Sequence, residues 1–285
     1  MVGATVGSLI LGTGVPAATA ARDAAQRPGD RQLMAVGLGD SALTNQNCGC
    51  ADLLADYGLL AGRRTGSDVE VRNEAKAGST SDDLRKGMGD PGLLGELTQA
   101  NVVVIFTGAN DFFPAFGTVS GGGSVEKNYA PVALTVRRNV ESVVAEVRKH
   151  NSRARIVVCG YWNDFKDGSV ARHQYSAKQR TAADAATKYT NGALQKAADS
   201  AGVHYVSTRK LFHAERDVTP MLASDGDHLS AAGHRKIAQA LVDLLHPADH
   251  PNVDPAPAAG PRPAQPEPVP SAPLPPLLPG TNRPH

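Results

Sequence analysis

Short apolar runs alternate along the chain with longer segments whose apolar residues recur at helical spacing. The runs of strand length are 33–38, 69–71, 101–106, 155–159 and 203–206. The helical patterns lie near 51–61, 134–150, 177–200 and 231–245. The runs are continuously apolar, as is typical of parallel strands buried on both faces. The alternation therefore predicts an α/β fold, with a five-stranded parallel sheet covered by helices on both sides.

The pattern stops at both ends of the chain, and this divides it into three parts. Residues 1–31 are predicted to be an export signal followed by a disordered leader, 32–246 a single folded domain, and 247–285 a disordered tail. Of the 20 prolines, 14 fall at or after Pro247. Proline fixes φ and lacks an amide donor, so this tail cannot build a helix or a sheet and reads as an extended spacer.

The first twenty residues predict secretion or attachment to a cell wall. An apolar segment around Leu9–Leu11 precedes Ala18-Thr19-Ala20, which has the small-x-small form of a cleavage site. A basic region before the apolar segment is missing, because the first arginine is Arg22. Either the true start lies upstream, or the segment is only an alanine-rich leader.

The overall balance of the composition excludes several classes of partner. The 285 residues are 41% hydrophobic and carry a formal net charge of +1, which offers no electrostatic footprint for nucleic acid. A continuous apolar run of 18 residues is missing, so no membrane span is expected. We expect a monomer with a small-molecule partner.

The candidate chemistry begins where the first strand ends, at Gly39-Asp40-Ser41. In open α/β sheets the ligand crevice lies at the carboxyl ends of the strands. The stretch 37–42 also matches the dinucleotide fingerprint G-x-G-x-x-G/A. That fingerprint needs a helix directly after the glycines, whereas residues 44–50 read as a loop.

Three further polar blocks follow in order: one containing Gly78 after the second strand, Gly108-x-Asn110-Asp111 after the third, and Asp225-x-x-His228 before the last helix. With Gly39-Asp40-Ser41, these four blocks resemble the SGNH (GDSL-type) hydrolase family across the whole central domain. Ala42 departs from the leucine after which the family is named. The resemblance implies a flavodoxin-like three-layer α/β/α sandwich, a serine esterase activity and no cofactor.

The chemistry of the blocks fits that resemblance. A serine hydroxyl is a weak nucleophile and needs an adjacent base, for which His228 is the best-placed histidine. Asp225, three residues earlier, is expected to orient the imidazole, with the adjacent Asp227 as the alternative. The resemblance implies three oxyanion donors: the amides of Ser41 and Gly78 and the side chain of Asn110.

Other conspicuous residues receive structural interpretations. Asp40 and Asp111 are expected to brace turns, and Trp162 is either a substrate platform or an edge-packing residue. Cys48 and Cys50 could form a bridge in the loop after Ser41, with Cys159 a buried free thiol. The histidines lack metal-ligand spacing, so no metal is predicted.

The sequence therefore predicts a secreted serine esterase or lipase that works through an acyl-enzyme. The aromatic segment Phe112–Phe116, interpreted as a loop beside the site, favours an acyl chain over a bare acetyl group. Alternatives are a carbohydrate O-acetylesterase of the same fold, a secreted binding module without turnover, and a nucleotide-binding protein. The last lacks the acidic ribose contact that it needs after the second strand.

Overall fold

The structure, a computed structural model, describes residues 32–163, 165, 168–212 and 217–246. The predicted export signal and the proline-rich tail lie outside the described residues. Within them, no helix is long and apolar enough to cross a bilayer.

Five parallel strands form one sheet, in the order β2-β1-β3-β4-β5. The strands are β1 (Leu33–Gly39), β2 (Val69–Asn73), β3 (Val102–Phe106), β4 (Arg155–Gly160) and β5 (His204–Ser207). The central strand β3 is buried along its whole length, as its continuous apolar run predicts. All five predicted strands are confirmed.

Helices cover both faces of the sheet. The helices are α1 (Leu53–Thr65), α2 (Ser81–Gly87), α3 (Pro91–Gln99), α4 (Phe113–Ser120), α5 (Val125–His150), α6 (Ser169–Gln174), α7 (Ala177–Ala201), α8 (Thr208–Leu211) and α9 (Ala231–Leu245). The chain moves from β1 to β2 in one direction and then returns past β1 to β3, β4 and β5. Right-handed crossovers therefore place α1 opposite α5 and α7. Helix α9 packs against α1, and α5 packs against α7. The three-layer α/β/α sandwich is confirmed.

The structure contains four helices that the sequence analysis does not predict, α2, α3, α6 and α8, and two segments differ from their interpretation. The segment Phe112–Phe116, interpreted as a loop, is instead helical: it ends a 3-10 turn at Asn110–Phe112 and opens α4. Pro114 lies at the start of α4, where its missing amide hydrogen costs no helical bond. Helix α5 begins at Val125, well before the predicted start near Leu134, because Pro131 lies inside it and looks like a break in the helical pattern.

Candidate active site

The backbone at the end of β1 presents Ser41. Gly39 has φ +140°, and a Cβ there would lie 1.5 Å from the carbonyl oxygen of Phe106 on the neighbouring strand. The Asp40 amide donates to the same carbonyl at 2.9 Å. Only glycine allows this close approach of two strands, so the chain can turn sharply into the 3-10 helix Ser41–Leu43.

Asp40 braces that turn from inside the protein, as predicted. Its Oδ1 accepts a hydrogen bond from the Ala42 amide at 3.0 Å, and the Tyr161 hydroxyl donates to Oδ2. The residue is only 1% exposed. Burial raises the pKa of Asp40 to about 7, although the hydrogen bonds from Tyr161 and Ala42 oppose the rise.

His228 and Asp225 form a close pair in the loop before α9. The His228 Nδ1 lies 2.6 Å from Asp225 Oδ2, and Asp225 Oδ1 accepts from the amides of Asp227 and His228, each at 3.1 Å. The loop thus folds back on Asp225 and fixes the carboxylate against the ring. Ser230 then caps α9 by accepting from the Gly233 amide, which starts the helix directly after this loop.

The charges of this pair follow from its contacts. Burial acts to raise the pKa of Asp225, but the hydrogen bonds from His228, Asn47 and the Asp227 amide outweigh it and hold the pKa well below its usual range. Burial acts to lower the pKa of His228, but its bond to Asp225 outweighs that effect. Asp227 and Asp40 add negative charge nearby, and the pKa of His228 is raised above its usual value.

The alternative acid, Asp227, is placed less favourably. Its Oδ2 lies 3.9 Å from the His228 Nδ1, and its side chain is 55% exposed. Its carbonyl accepts from the Trp162 Nε1 at 3.0 Å. Trp162 itself is buried, so its indole packs inside the domain and supports the loop that carries Asp225 and His228. It is not an open platform for substrate.

The loops that follow β1, β2 and β3 are tied to one another. The Gly39 carbonyl accepts from the Lys76 amide at 2.8 Å and from the Ser79 hydroxyl at 2.9 Å. The Asn110 Nδ2 donates to the Ser79 carbonyl at 2.9 Å. Three predicted blocks are therefore held in one hydrogen-bonded unit at the carboxyl edge of the sheet.

Two of the predicted oxyanion donors, Gly78 and Asn110, belong to that unit. Gly78 has φ +79°, and nothing lies within 4 Å of the position that a Cβ would take. Asn110 spends one amide hydrogen on Ser79, which fixes its side chain and leaves the second hydrogen for another acceptor.

Asp111, next to Asn110, has a different task. Its carboxylate accepts from the Ser81 amide at 2.8 Å and from the Ser81 hydroxyl at 2.6 Å. That hydroxyl in turn accepts from the Asn139 Nδ2 at 2.9 Å. Asp111 therefore fastens the start of α2, and its predicted bracing role is confirmed.

The structure joins His228 to Asp225 but does not join Ser41 to His228. Within the part of the chain that is described, the Ser41 hydroxyl makes no hydrogen bond. The Asp40 carboxylate, one residue away, is nevertheless close enough to act electrostatically on His228. Catalytic hydrogen bonds often form only when substrate is bound.

Sequence reasoning missed Asn47, whose Nδ2 donates to Asp225 Oδ2 at 2.6 Å. Asn47 and Asp225 are 178 residues apart, and no spacing pattern links them. The one available signal was the bridge predicted next to it, because a Cys48–Cys50 disulfide stiffens the loop that carries Asn47. That disulfide is present, and Cys159 is a buried free thiol.

One group of side chains in the described residues has the composition of a metal site. Donor atoms of Cys48, Cys50 and His234 lie within 4.8 Å of one another. The two sulfurs are bonded to each other and offer no thiolate. The His234 Nδ1 lies 2.9 Å from the Ala51 carbonyl, to which it donates. These donors do not suit a metal ion.

One family model matches most of the described residues. Residues 37–236 match the model of the GDSL-like lipase/acylhydrolase family. No curated protein matches the sequence.

Solved structures with a similar fold include three hydrolases. A lipase from a goat rumen metagenome is 16% identical, with a TM-score of 0.61 over 73% of this chain and 95% of its own. An extracellular lipase from Streptomyces rimosus is 22% identical, with a TM-score of 0.56 over 75% and 99%. An acetyl-xylooligosaccharide esterase from Geobacillus is 17% identical, with a TM-score of 0.53 over 76% and 94%.

Proposed function

The chain belongs to the GDSL-like lipase/acylhydrolase family, and on that premise we propose that it is a serine esterase that cleaves carboxylic esters through an acyl-enzyme. Ser41 is the nucleophile, His228 the general base and Asp225 the orienting acid. The observation that carries the proposal is the 2.6 Å contact between His228 Nδ1 and Asp225 Oδ2. The Asp40 carboxylate, next to Ser41, also acts electrostatically on the His228 ring.

The first half of the reaction forms the acyl-enzyme. The Ser41 Oγ attacks the ester carbonyl carbon while its proton passes to the Nε2 of His228. The carbonyl oxygen becomes an oxyanion, which accepts from the amides of Ser41 and Gly78 and from the free hydrogen of Asn110. The tetrahedral intermediate then collapses, and the leaving alkoxide takes the proton from His228 and departs as the alcohol.

The second half repeats these steps with water. His228 takes a proton from water, whose oxygen attacks the acyl carbon, and the proton then returns to Ser41 as the acid leaves. Asp225 keeps the ring in the tautomer with hydrogen on Nδ1 and stabilises the imidazolium that forms twice in each cycle.

The electrostatics of the pair predict the acid limb of the pH profile. His228 acts as a base only when it is neutral. Because its pKa is raised, activity should fall as the pH drops through a value above the ordinary 6.5 of histidine.

Aromatic side chains next to the site support an acyl chain longer than acetate. Phe113, at the start of α4 and three residues after Asn110, is 53% exposed. Phe116 on the same helix packs against Phe165 with ring centroids 6.4 Å apart, and Phe165 packs against Tyr175 at 4.9 Å. Phe165 and Tyr175 line a small cavity together with Asp225. The exposed Phe113 ring offers apolar surface to a hydrocarbon chain near Asn110.

The test is the turnover of p-nitrophenyl esters from acetate to palmitate by the wild type and matched variants. Ser41→Ala and His228→Ala should each lose on the order of 10³-fold in kcat, and their losses should not add. Asp227→Asn is the control, since it removes an exposed carboxylate from the same loop, and it should keep most activity. A fluorophosphonate probe should label the wild type and spare Ser41→Ala.

Other outcomes would separate the alternatives. Turnover confined to the acetate ester would favour a carbohydrate O-acetylesterase. No turnover and no labelling in the folded wild type would favour a binding module. Near-normal turnover by folded Ser41→Ala would remove the assignment of the nucleophile.

We also propose that the protein is exported and that its catalytic domain spans 32–246. The Cys48–Cys50 disulfide supports export, because disulfides persist mainly outside the reducing cytosol. Sequencing the amino terminus of the mature protein tests the proposal, and cleavage after Ala20 is the expected result.

A further inference from the structure

Asn47, in the loop that follows Ser41, contacts the Asp225 carboxylate. Its Nδ2 donates to Asp225 Oδ2, the same oxygen that lies 2.6 Å from His228 Nδ1. Asp225 Oδ1 is occupied by two backbone amides of its own loop. Asn47 thus links the loop of Asp225 to the loop that follows Ser41.

The loop of Asn47 is built to hold it there. Asn47 has φ +57°, a left-handed conformation that asparagine tolerates better than other residues with a Cβ. The Cys48–Cys50 disulfide closes the chain directly after it, and the Asn45 Nδ2 donates to the Cys50 carbonyl at 3.0 Å. The Cys50 Sγ also lies 3.7 Å from the Nδ1 of buried His234 on α9. The loop is therefore fastened both to itself and to the helix that follows His228.

We propose that Asn47 is a positioning residue for the reaction: its amide fixes Asp225 and, through it, the orientation of His228. The inference rests on the proposed function. Asn47 is not assigned a contact with substrate, so it should act on kcat and on the pH profile and leave KM almost unchanged.

The sign of the pH effect follows from the groups around His228. Asp225, Asp227 and Asp40 surround it with negative charge, and His234 is the positively titrating neighbour. The Asn47 amide donates to Asp225 and withdraws part of its negative charge from the ring. Without that donor the carboxylate holds the imidazolium more strongly, so the pKa of His228 rises.

The experiment compares kcat/KM against pH for the wild type, Asn47→Gly, Asn47→Asp and Asn45→Ala with one p-nitrophenyl ester. Glycine accepts the left-handed backbone and removes only the amide, so it separates side chain from loop shape. We expect Asn47→Gly to lose roughly tenfold in kcat and to move its acid limb to higher pH. Asn47→Asp should move the limb further, since a second carboxylate faces Asp225.

Asn45→Ala is the matched control because it removes a hydrogen bond of the same loop without touching Asp225, while the Cys48–Cys50 disulfide still closes that loop. Its acid limb should stay at the wild-type position. The inference is wrong if Asn47→Gly keeps the wild-type kcat and acid limb, or if Asn45→Ala shifts the limb as far. The catalytic proposal is tested separately, since its failure would show as retained activity in Ser41→Ala or His228→Ala.

Discussion

Asp40→Asn should remove a large pH dependence of stability from the protein. The buried carboxyl has a pKa of about 7, against an ordinary value of 3.8. The folded state therefore binds this proton more tightly than the unfolded chain does. The stabilisation is fully present below about pH 4 and is lost as the pH rises through about 7. Asparagine has nearly the same shape and does not titrate. In Asp40→Asn, residue 40 should therefore contribute no change in the free energy of unfolding over this pH range.

The size of the effect follows from the shift. Each pH unit between the unfolded and folded pKa changes the free energy of unfolding by about 1.4 kcal/mol. Between pH 5 and pH 8, the free energy of unfolding changes through Asp40 only up to its folded pKa of about 7. The two pH units from 5 to 7 correspond to a loss of about 3 kcal/mol. In the variant, the Ala42 amide can still donate to the side-chain oxygen, and the Tyr161 hydroxyl can turn to accept from the new amide.

The assay is urea unfolding at pH 5 and pH 8, followed by far-ultraviolet circular dichroism. Asp225 and His228 titrate in both proteins, so most of their contribution cancels when the two pH differences are subtracted. The Asp40 charge also raises the pKa of His228, and its loss makes the pH difference of the variant smaller still, in the same direction. Asp199→Asn serves as the control, because this exposed carboxylate lies on α7, outside the site, and its loss should leave the pH difference at the wild-type value. Equal pH differences in Asp40→Asn and the wild type would refute the reasoning.

Three further predictions concern the site and the chain around it. Asn110→Ala should lower kcat by roughly 10²–10³-fold with little change in KM, whereas Asp111→Asn should cost far less; steady-state kinetics that reverse this order would place the third block one residue out of position. Phe113→Ala should lower kcat/KM for the palmitate ester several-fold and leave the acetate ester nearly unchanged, and equal losses on both esters would argue against an acyl contact. Removing residues after Pro247 should leave turnover and the thermal midpoint unchanged, and a drop in either would show that the tail docks on the domain.

The sequence was sufficient for the elements whose signal is local. Strands such as β3 are continuously apolar because both faces are buried, and Ser41, Asn110 and His228 are marked by their position at strand or helix ends. Helix α4 was misread because Phe113-Pro114 looks like a break, although proline fits a first helical turn.

Contacts between distant segments left no local signal. The Tyr161 hydroxyl reaches Asp40 across 121 positions, and nothing in either segment indicates the other. The left-handed backbone of Asn47 is likewise a property of the closed loop, and asparagine occurs in many ordinary turns.

Helix α9 follows all five strands in the chain, so the order of synthesis determines when the fold can be completed. Helix α9 packs against α1, and its buried face includes Ile237, Leu241 and Leu245. On the surface, Arg64 of α1 forms a salt bridge with Asp243 of α9 at 2.8 Å. A ribosome delivers this helix only after all five strands. Until then the surface of α1 that α9 covers stays open to water, and the loop that carries Asp225 and His228 is not yet in place. Under the proposed function, a growing chain therefore carries Ser41 long before His228, and the catalytic set is complete only when α9 has packed on α1.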